Sequence, residues 1–364
     1  GPMSAVQFAF QVQIEPLGLL YGSSGRLLSP EVLTGRAAEH FPPDAPAAAG
    51  LIASQLPRAE VWHLHTAGPF WVGPDGELMV PAPMALIQED DAAGGRISRQ
   101  RLQWQEGDGA HQPAGWRDPA GSNPSKTSRS GGWIALSQWP HPANPSAPAD
   151  GLPIHDDPWC ALPHLHPKLR ENERVSAGAE EGALFLEYGI ALPPGVRLAY
   201  LSSHAVADGL VRFGGEGHLA QVRCLPIPPL LAELLRHPLT APFALLTPGL
   251  WGGPKLSIRD PIDTTVPRGH FPWHRHGQPP GILTDRPRPW RHRLGAGSRD
   301  PSPADPDKPE KRRLSRGRWA VPAGSCYQLA GDPLAPWAEW PEAWFPKEGF
   351  SFKQLGTALA LSLT

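Results

Sequence analysis

The chain has 364 residues, 40% hydrophobic and 19% charged, with 47 Pro, 39 Gly and a formal net charge of −2. That length suits two small domains or one double domain with long insertions, and the Pro and Gly usage argues for many loops and short elements. Overall charge is uninformative about partners, no apolar run reaches the roughly 18 residues of a membrane span, and the three scattered cysteines (Cys160, Cys224, Cys326) argue against a disulfide framework or a thiolate zinc site and fit a reducing cytoplasm. No basic segment followed by an apolar core opens the chain, and Gly1-Pro2 before Met3 reads as a protease scar.

Val6 to Glu15 alternates. Phe8, Phe10, Val12 and Ile14 are expected on one face, with Gln7, Gln11, Gln13 and Glu15 on the other, as in a half-buried strand. Pro16 ends it, and Gly22 to Gly25 reads as a turn. Asp44 is placed to cap a helix running to Leu56, with Ala48, Leu51, Ile52 and Leu56 on one side. Val61 to Thr66 is the next expected strand. Gly73-Pro74-Asp75-Gly76 then turns a hairpin between Phe70–Val72 and Leu78–Val80. This β-α-β-β order suggests a ferredoxin-like half. From about Glu89 to Pro163 periodicity dissolves, although Trp104, Trp116, Trp133, Trp139 and Trp159 argue against a purely solvated linker. Strands are expected again at 183–190, 196–203 and 219–225, followed by a short helix at Leu230–Arg236 and a buried strand at Phe243–Leu246. Gly252 to Gly317 reads as a second low-order insertion, and Trp319–Leu329 and Gly356–Leu363 close the chain as strands.

Two segments point to a polyanion partner. The first is Arg212-Phe213-Gly214-Gly215-Glu216-Gly217-His218. Three glycines without Cβ atoms let backbone amides approach a phosphate or base, and Arg212 and His218 flank them; a tight strand connection is the alternative. It is no P-loop, because GK[ST] is missing. The second is Arg268 to Arg318, with 13 Lys and Arg against five acidic residues, an excess of eight positive charges. Its Trp273 and Trp290 are candidates to stack bases, and a solvated surface loop is the alternative.

Other chemistry finds less support. His63-x-His65, His164-x-His166 and His274-x-His276 could each place two imidazoles on one strand face, but no further ligands stand at a recognisable spacing. HExxH and GxSxG are absent, and Asp90-Asp91, Asp156-Asp157 and Glu180-Glu181 are adjacent pairs that point to opposite faces of an extended chain. No catalytic set, metal or cofactor is expected.

Several stretches together resemble the third Cmr subunit, the Cas five-type RAMP protein of type III-B CRISPR effectors. They are Ile14-Glu15-Pro16-Leu17 with Ser24-Gly25-Arg26, Pro42-Pro43 with Ala48-Ala49-Gly50-Leu51-Ile52, and Ala67-Gly68-Pro69-Phe70 with Val80-Pro81-Ala82-Pro83. Further along come Glu180-Glu181-Gly182-Ala183-Leu184-Phe185, Gly214-Gly215-Glu216-Gly217-His218, Leu246-Thr247-Pro248 and Val321-Pro322-Ala323-Gly324-Ser325. They run in family order over nearly the whole chain outside the insertions. Leu20-Tyr21-Gly22 departs from the family's aromatic-Arg-Asp, and the last Gly-rich motif shrinks to Leu355-Gly356, so a related type III-D subunit is the neighbouring reading.

The resemblance implies an α+β fold of two ferredoxin-like (RRM-type, RAMP) halves with long irregular insertions. These halves are 4–170, with an insertion at about 89–163, and 171–364, with the basic insertion at about 252–318. It implies a non-catalytic, cytoplasmic subunit that binds the 5′ handle of the crRNA and packs against the large Cas ten-type subunit and the adjacent Cas seven-type backbone subunit. Expected RNA contacts are Arg26, Lys168, Arg170, Arg212, Gly214, Gly215, Glu216, Gly217, His218, Arg286, Arg288, Arg291 and Arg293. A crRNA-processing endoribonuclease using His40, His63 or Tyr188 is the enzymatic alternative, and a general single-stranded RNA-binding module is the third.

Overall fold

The structure, a computed structural model, describes residues 6–18, 20–21, 41–124, 131–167, 169–170, 173–176, 184–213, 218–253, 255–292 and 314–363. It is rich in sheet and poor in helix. Fifteen elements carry the architecture: β1 (Phe10–Pro16), α1 (Ala45–Ala53), β2 (Thr66–Val72), β3 (Leu78–Pro81), β4 (Trp133–Ala135), β5 (Arg197–Ser202), β6 (Gly209–Phe213), β7 (His218–Pro226), α2 (Pro229–Arg236), β8 (Phe243–Leu245), β9 (Gly281–Leu283), β10 (Arg288–Trp290), β11 (Arg318–Ala320), β12 (Cys326–Gln328) and β13 (Ala360–Ser362).

A seven-stranded antiparallel sheet, ordered β6-β7-β1-β5-β2-β3-β4, forms the frame. It draws strands from both sides of residue 170. Every strand pair among the described residues is antiparallel. The pairings therefore establish a sheet-rich α+β chain without resolving it into two ferredoxin-like halves. A second sheet, β9-β12-β8-β13, belongs to the C-terminal part.

The two faces of the frame have different partners. Val12 and Ile14 of β1, Leu198 and Tyr200 of β5 and Phe213 of β6 pack with Ala48, Leu51 and Ile52 of α1. Ala67 and Phe70 of β2 and Leu201 of β5 face the opposite way, into a larger core with Phe243, Trp251, Trp273, Tyr327 and Trp340. Burying such rings supplies the apolar driving force; truncating one to alanine typically costs about 3–5 kcal/mol.

Several expectations are corrected here. Gln11 and Gln13 are buried, because β1 lies inside the sheet with material on both faces. Buried amides need partners. Gln13 Nε2 donates to Gln11 Oε1 (3.2 Å), Gln11 Nε2 to the Pro226 carbonyl (3.3 Å) and Arg197 to Gln13 Oε1 (3.0 Å). The segment 61–66 is not a strand: Arg58–Val61 forms one helical turn, and β2 starts only at Thr66. Residues 89–163 are not structureless. Arg96–Arg101 pairs with Leu86–Asp90 and Leu152–Ile154, and Gln103–Gln105 pairs with Gly115–Arg117. Trp116, Trp133 and Trp139 are buried there, and Trp139 Nε1 donates to the Ser362 carbonyl (2.9 Å), tying this segment to β13.

Candidate functional site

The glycine loop is the tip of a hairpin at the edge of the frame. β6 and β7 pair in register from Gly209 opposite Val222 to Phe213 opposite His218. The buried ring of Phe213 anchors the hairpin against Tyr200 (centroids 6.2 Å apart), while Arg212, opposite Leu219, is exposed. The chain between β6 and β7 therefore joins two antiparallel strands at the edge of the sheet. Gly214, Gly215, Glu216 and Gly217 themselves lie outside the described residues, as do Arg26, Lys168, Arg293 and His40. Of Arg170 and Tyr188 only the backbone is described, in Leu169–Arg170 and Leu184–Ala191.

The basic segment divides its arginines. Arg286 and Arg291 are exposed. Arg288, on β10, instead reaches the Asp44 carboxylate at 2.6 Å, with side-chain exposures of 26% and 19%. Asp44 occupies the N-cap position of α1 as the sequence suggests, yet its side chain makes no capping bond because it turns to Arg288. Arg318, on β11, is buried; it reaches Glu348 at 3.5 Å and lies over the Phe352 ring at 4.9 Å. Trp273 and Trp290 are 1% and 3% exposed and belong to the core, so neither is available to stack a base. Periodicity gave no warning, because β10 is only three residues long. On β11, beside this segment, Trp319 is an exposed indole, 57% accessible, at a position where the sequence predicts an ordinary strand.

Of the histidine pairs, the side chains of His164 and His166 lie outside the described residues, and the other two pairs meet different partners. His274 Nε2 meets Asp260 Oδ2 at 3.1 Å, and His65 Nδ1 lies 3.1 Å from the His63 carbonyl. Among the described residues no three His, Cys, Asp or Glu side chains group as metal ligands, and no helix is long and apolar enough to cross a membrane.

His292, next to Arg291, packs tilted against Trp290 and edge-on to Phe352, at centroid distances of 5.0 and 5.8 Å. Burial depresses its pKa to about 4; Glu348 and Asp44 oppose that shift, and Arg318 adds to it. The unfolded imidazole protonates near 6.5 and the folded one only near 4. Stability is therefore full above 6.5 and is lost as pH falls toward 4, by about 2 kcal/mol at pH 5. In His292→Phe that share of the loss should vanish. Urea midpoints at pH 7 and pH 5 check this, and the same pH dependence in parent and variant would refute it.

The class these features define is a sheet-rich α+β protein with a glycine hairpin at a sheet rim and a basic, aromatic-bearing surface on its C-terminal part. The family described as CRISPR-associated protein (Cas_Cmr3) matches residues 29–330, most of the chain, and the protein belongs to that family. No curated protein matches. Among solved structures, the chain is similar to one in the cryo-EM structure of the Type III-B Cmr-beta bound to cognate target RNA (12% identity, TM-score 0.41, covering 87% of this chain and 86% of that one). It is also similar to one in the same complex with AMPPnP, state 1 (12% identity, TM-score 0.39, the same coverage).

Proposed function

We propose that the protein is a non-catalytic crRNA-binding subunit of a type III CRISPR effector. It holds the repeat-derived 5′ handle and bridges the large Cas ten-type subunit to the adjacent Cas seven-type backbone subunit. The observation that carries this reading is membership of the Cas_Cmr3 family over residues 29–330. The rim hairpin and the exposed Arg286 and Arg291 support it, since both offer donors to a phosphate backbone. The division into ferredoxin-like halves at 4–170 and 171–364 is part of the proposal; because the frame draws strands from both, the halves would be joined through strand pairing.

Purified protein is titrated with crRNA carrying its own handle and with the same RNA carrying a scrambled handle. Tighter binding of the native handle is expected. Equal affinity would make the protein a general single-stranded RNA-binding module, and cleavage of repeat RNA without divalent metal would make it a processing endoribonuclease. In Gly215→Asp a side chain and a negative charge enter the loop, and affinity for the native handle should fall about tenfold or more, the worth of one charge-assisted contact. Unchanged affinity with an intact fold would remove the loop from the handle site.

A further inference from the structure

The outer face of the β10–β11 pair carries an indole for which the fold gives no packing role. Trp71, Trp116, Trp133, Trp139, Trp251, Trp273, Trp290, Trp337 and Trp340 are all buried. Trp62 is exposed but rests on Phe350, with ring centroids 5.2 Å apart. Trp319 is 57% exposed and makes no ring contact among the described residues. Its neighbours in the strand, Arg318 and Ala320, point inward and are buried, so β11 holds the indole outward on a fixed backbone.

The surroundings of that ring suit a polyanion with flat groups. Pro289 stands directly opposite Trp319 and is exposed. Arg291 follows two residues later on the same strand side, and its Nη2 lies 3.2 Å from where a Cβ on Gly317 would stand, two residues before Trp319. On the other flank the Trp319 amide donates to Ser257 Oγ (3.1 Å), beside the exposed Lys255 and Leu256. The acidic residue beneath, Glu348, is drawn inward: it accepts from Arg318 (3.5 Å) and from the Arg316 amide (3.1 Å). Asp285 lies further along, four residues before Pro289. An exposed indole on a paired strand, with cations on the neighbouring segments, suits single-stranded nucleic acid, the ring stacking on a base and the cations meeting phosphates.

We infer that Trp319 is a base-stacking platform for an unpaired nucleotide of single-stranded RNA, with Arg291 and Lys255 holding the adjoining phosphates. This rests on the crRNA-binding reading and adds to it a site and a mode of contact. The test uses the full-length protein and fluorescently labelled single-stranded crRNA, with Trp319→Ala, Trp319→Phe and Trp319→Leu. Stacking on one base is worth a factor of roughly 5 to 150 in affinity, so Trp319→Ala should weaken binding by that amount. Trp319→Phe should recover most of it and Trp319→Leu should not. RNAs made abasic one position at a time should show one position whose loss weakens the parent but not Trp319→Ala. Unfolding midpoints equal to the parent's establish that each variant is folded. If the parent binds crRNA and Trp319→Ala binds it equally well, the platform is wrong while the handle reading stands. If that variant also fails to join the partner subunits, the indole is a protein anchor and the inference is likewise overturned. If the parent binds no crRNA, both readings fall.

Discussion

Gly356→Ala should destabilise the protein by about 4 kcal/mol and lower its melting temperature by roughly 5 °C. Gly356 has φ +67, and a Cβ there would lie 2.2 Å from the Thr66 carbonyl oxygen, 2.4 Å from Ala67 Cβ and 2.5 Å from Ala67 Cα. Thr66 and Ala67 open β2, a central strand, and both are fully buried. Neither side can yield easily. The Thr66 amide donates to the Gln354 carbonyl (2.9 Å), and the Gly356 carbonyl accepts from Thr247 Oγ1 (2.6 Å), which itself accepts from the Leu359 amide (2.9 Å). The turn therefore clips the C-terminal segment onto the frame through a gap only a glycine fits. Left-handed strain and overpacking each cost about 1–3 kcal/mol. Gly50→Ala is the control: Gly50 lies in α1, a Cβ there would meet nothing within 4 Å, and the change should stabilise by about 0.5–1 kcal/mol. Equal denaturation midpoints for Gly356→Ala and the parent would show that the clip is not needed.

The parts of the fold that were legible in the sequence share a local cause. β1 shows alternation, α1 an apolar stripe, and the β2–β3 hairpin a turn whose chemistry is self-contained. In that turn Gly76 takes φ +81, its amide bonds the Gly73 carbonyl (2.9 Å) and Asp75 Oδ1 accepts from the Glu77 amide (3.0 Å). What escaped depends on distant partners. β4 and β10 are three residues long, too short to display a period, and each exists because a remote strand pairs with it. Burial of Gln11 and Gln13 follows from the position of β1 inside the sheet, which alternation cannot report. The same limit applies to the candidate site. Excess positive charge in 268–318 was readable, but which arginines stay available was not, because Asp44 lies 244 positions from Arg288 and Glu348 lies 30 from Arg318. Likewise the tryptophans in and beside that segment were visible as rings, while only packing decides that Trp273 and Trp290 are core and Trp319 is not.

That division of the arginines leads to an expected split between variants. Arg288→Ala should act on stability, and Arg286→Ala with Arg291→Ala should act on RNA. Arg288 pairs with the Asp44 carboxylate, whose Oδ1 is already buried without a hydrogen bond. Removing the guanidinium leaves a largely buried charge uncompensated, which costs about 3 kcal/mol, close to the lower end for a broken buried pair because some solvent reaches both groups. It also releases β10 from the start of α1. The double variant Arg288→Ala, Asp44→Asn should recover part of that loss, since the stranded charge is gone. Arg286 and Arg291 are exposed, so their loss should leave the melting temperature within about 1 °C of the parent. If each meets one phosphate, two released counterions per complex are lost, and the slope of log affinity against log salt should flatten by about 1.4. Salt titrations of crRNA binding and thermal melts of the two variants check both halves. A flattened slope in Arg288→Ala, with no change in melting, would place that guanidinium on RNA and break the link to Asp44. An unchanged slope in the Arg286→Ala, Arg291→Ala variant would take the exposed arginines out of the RNA contact.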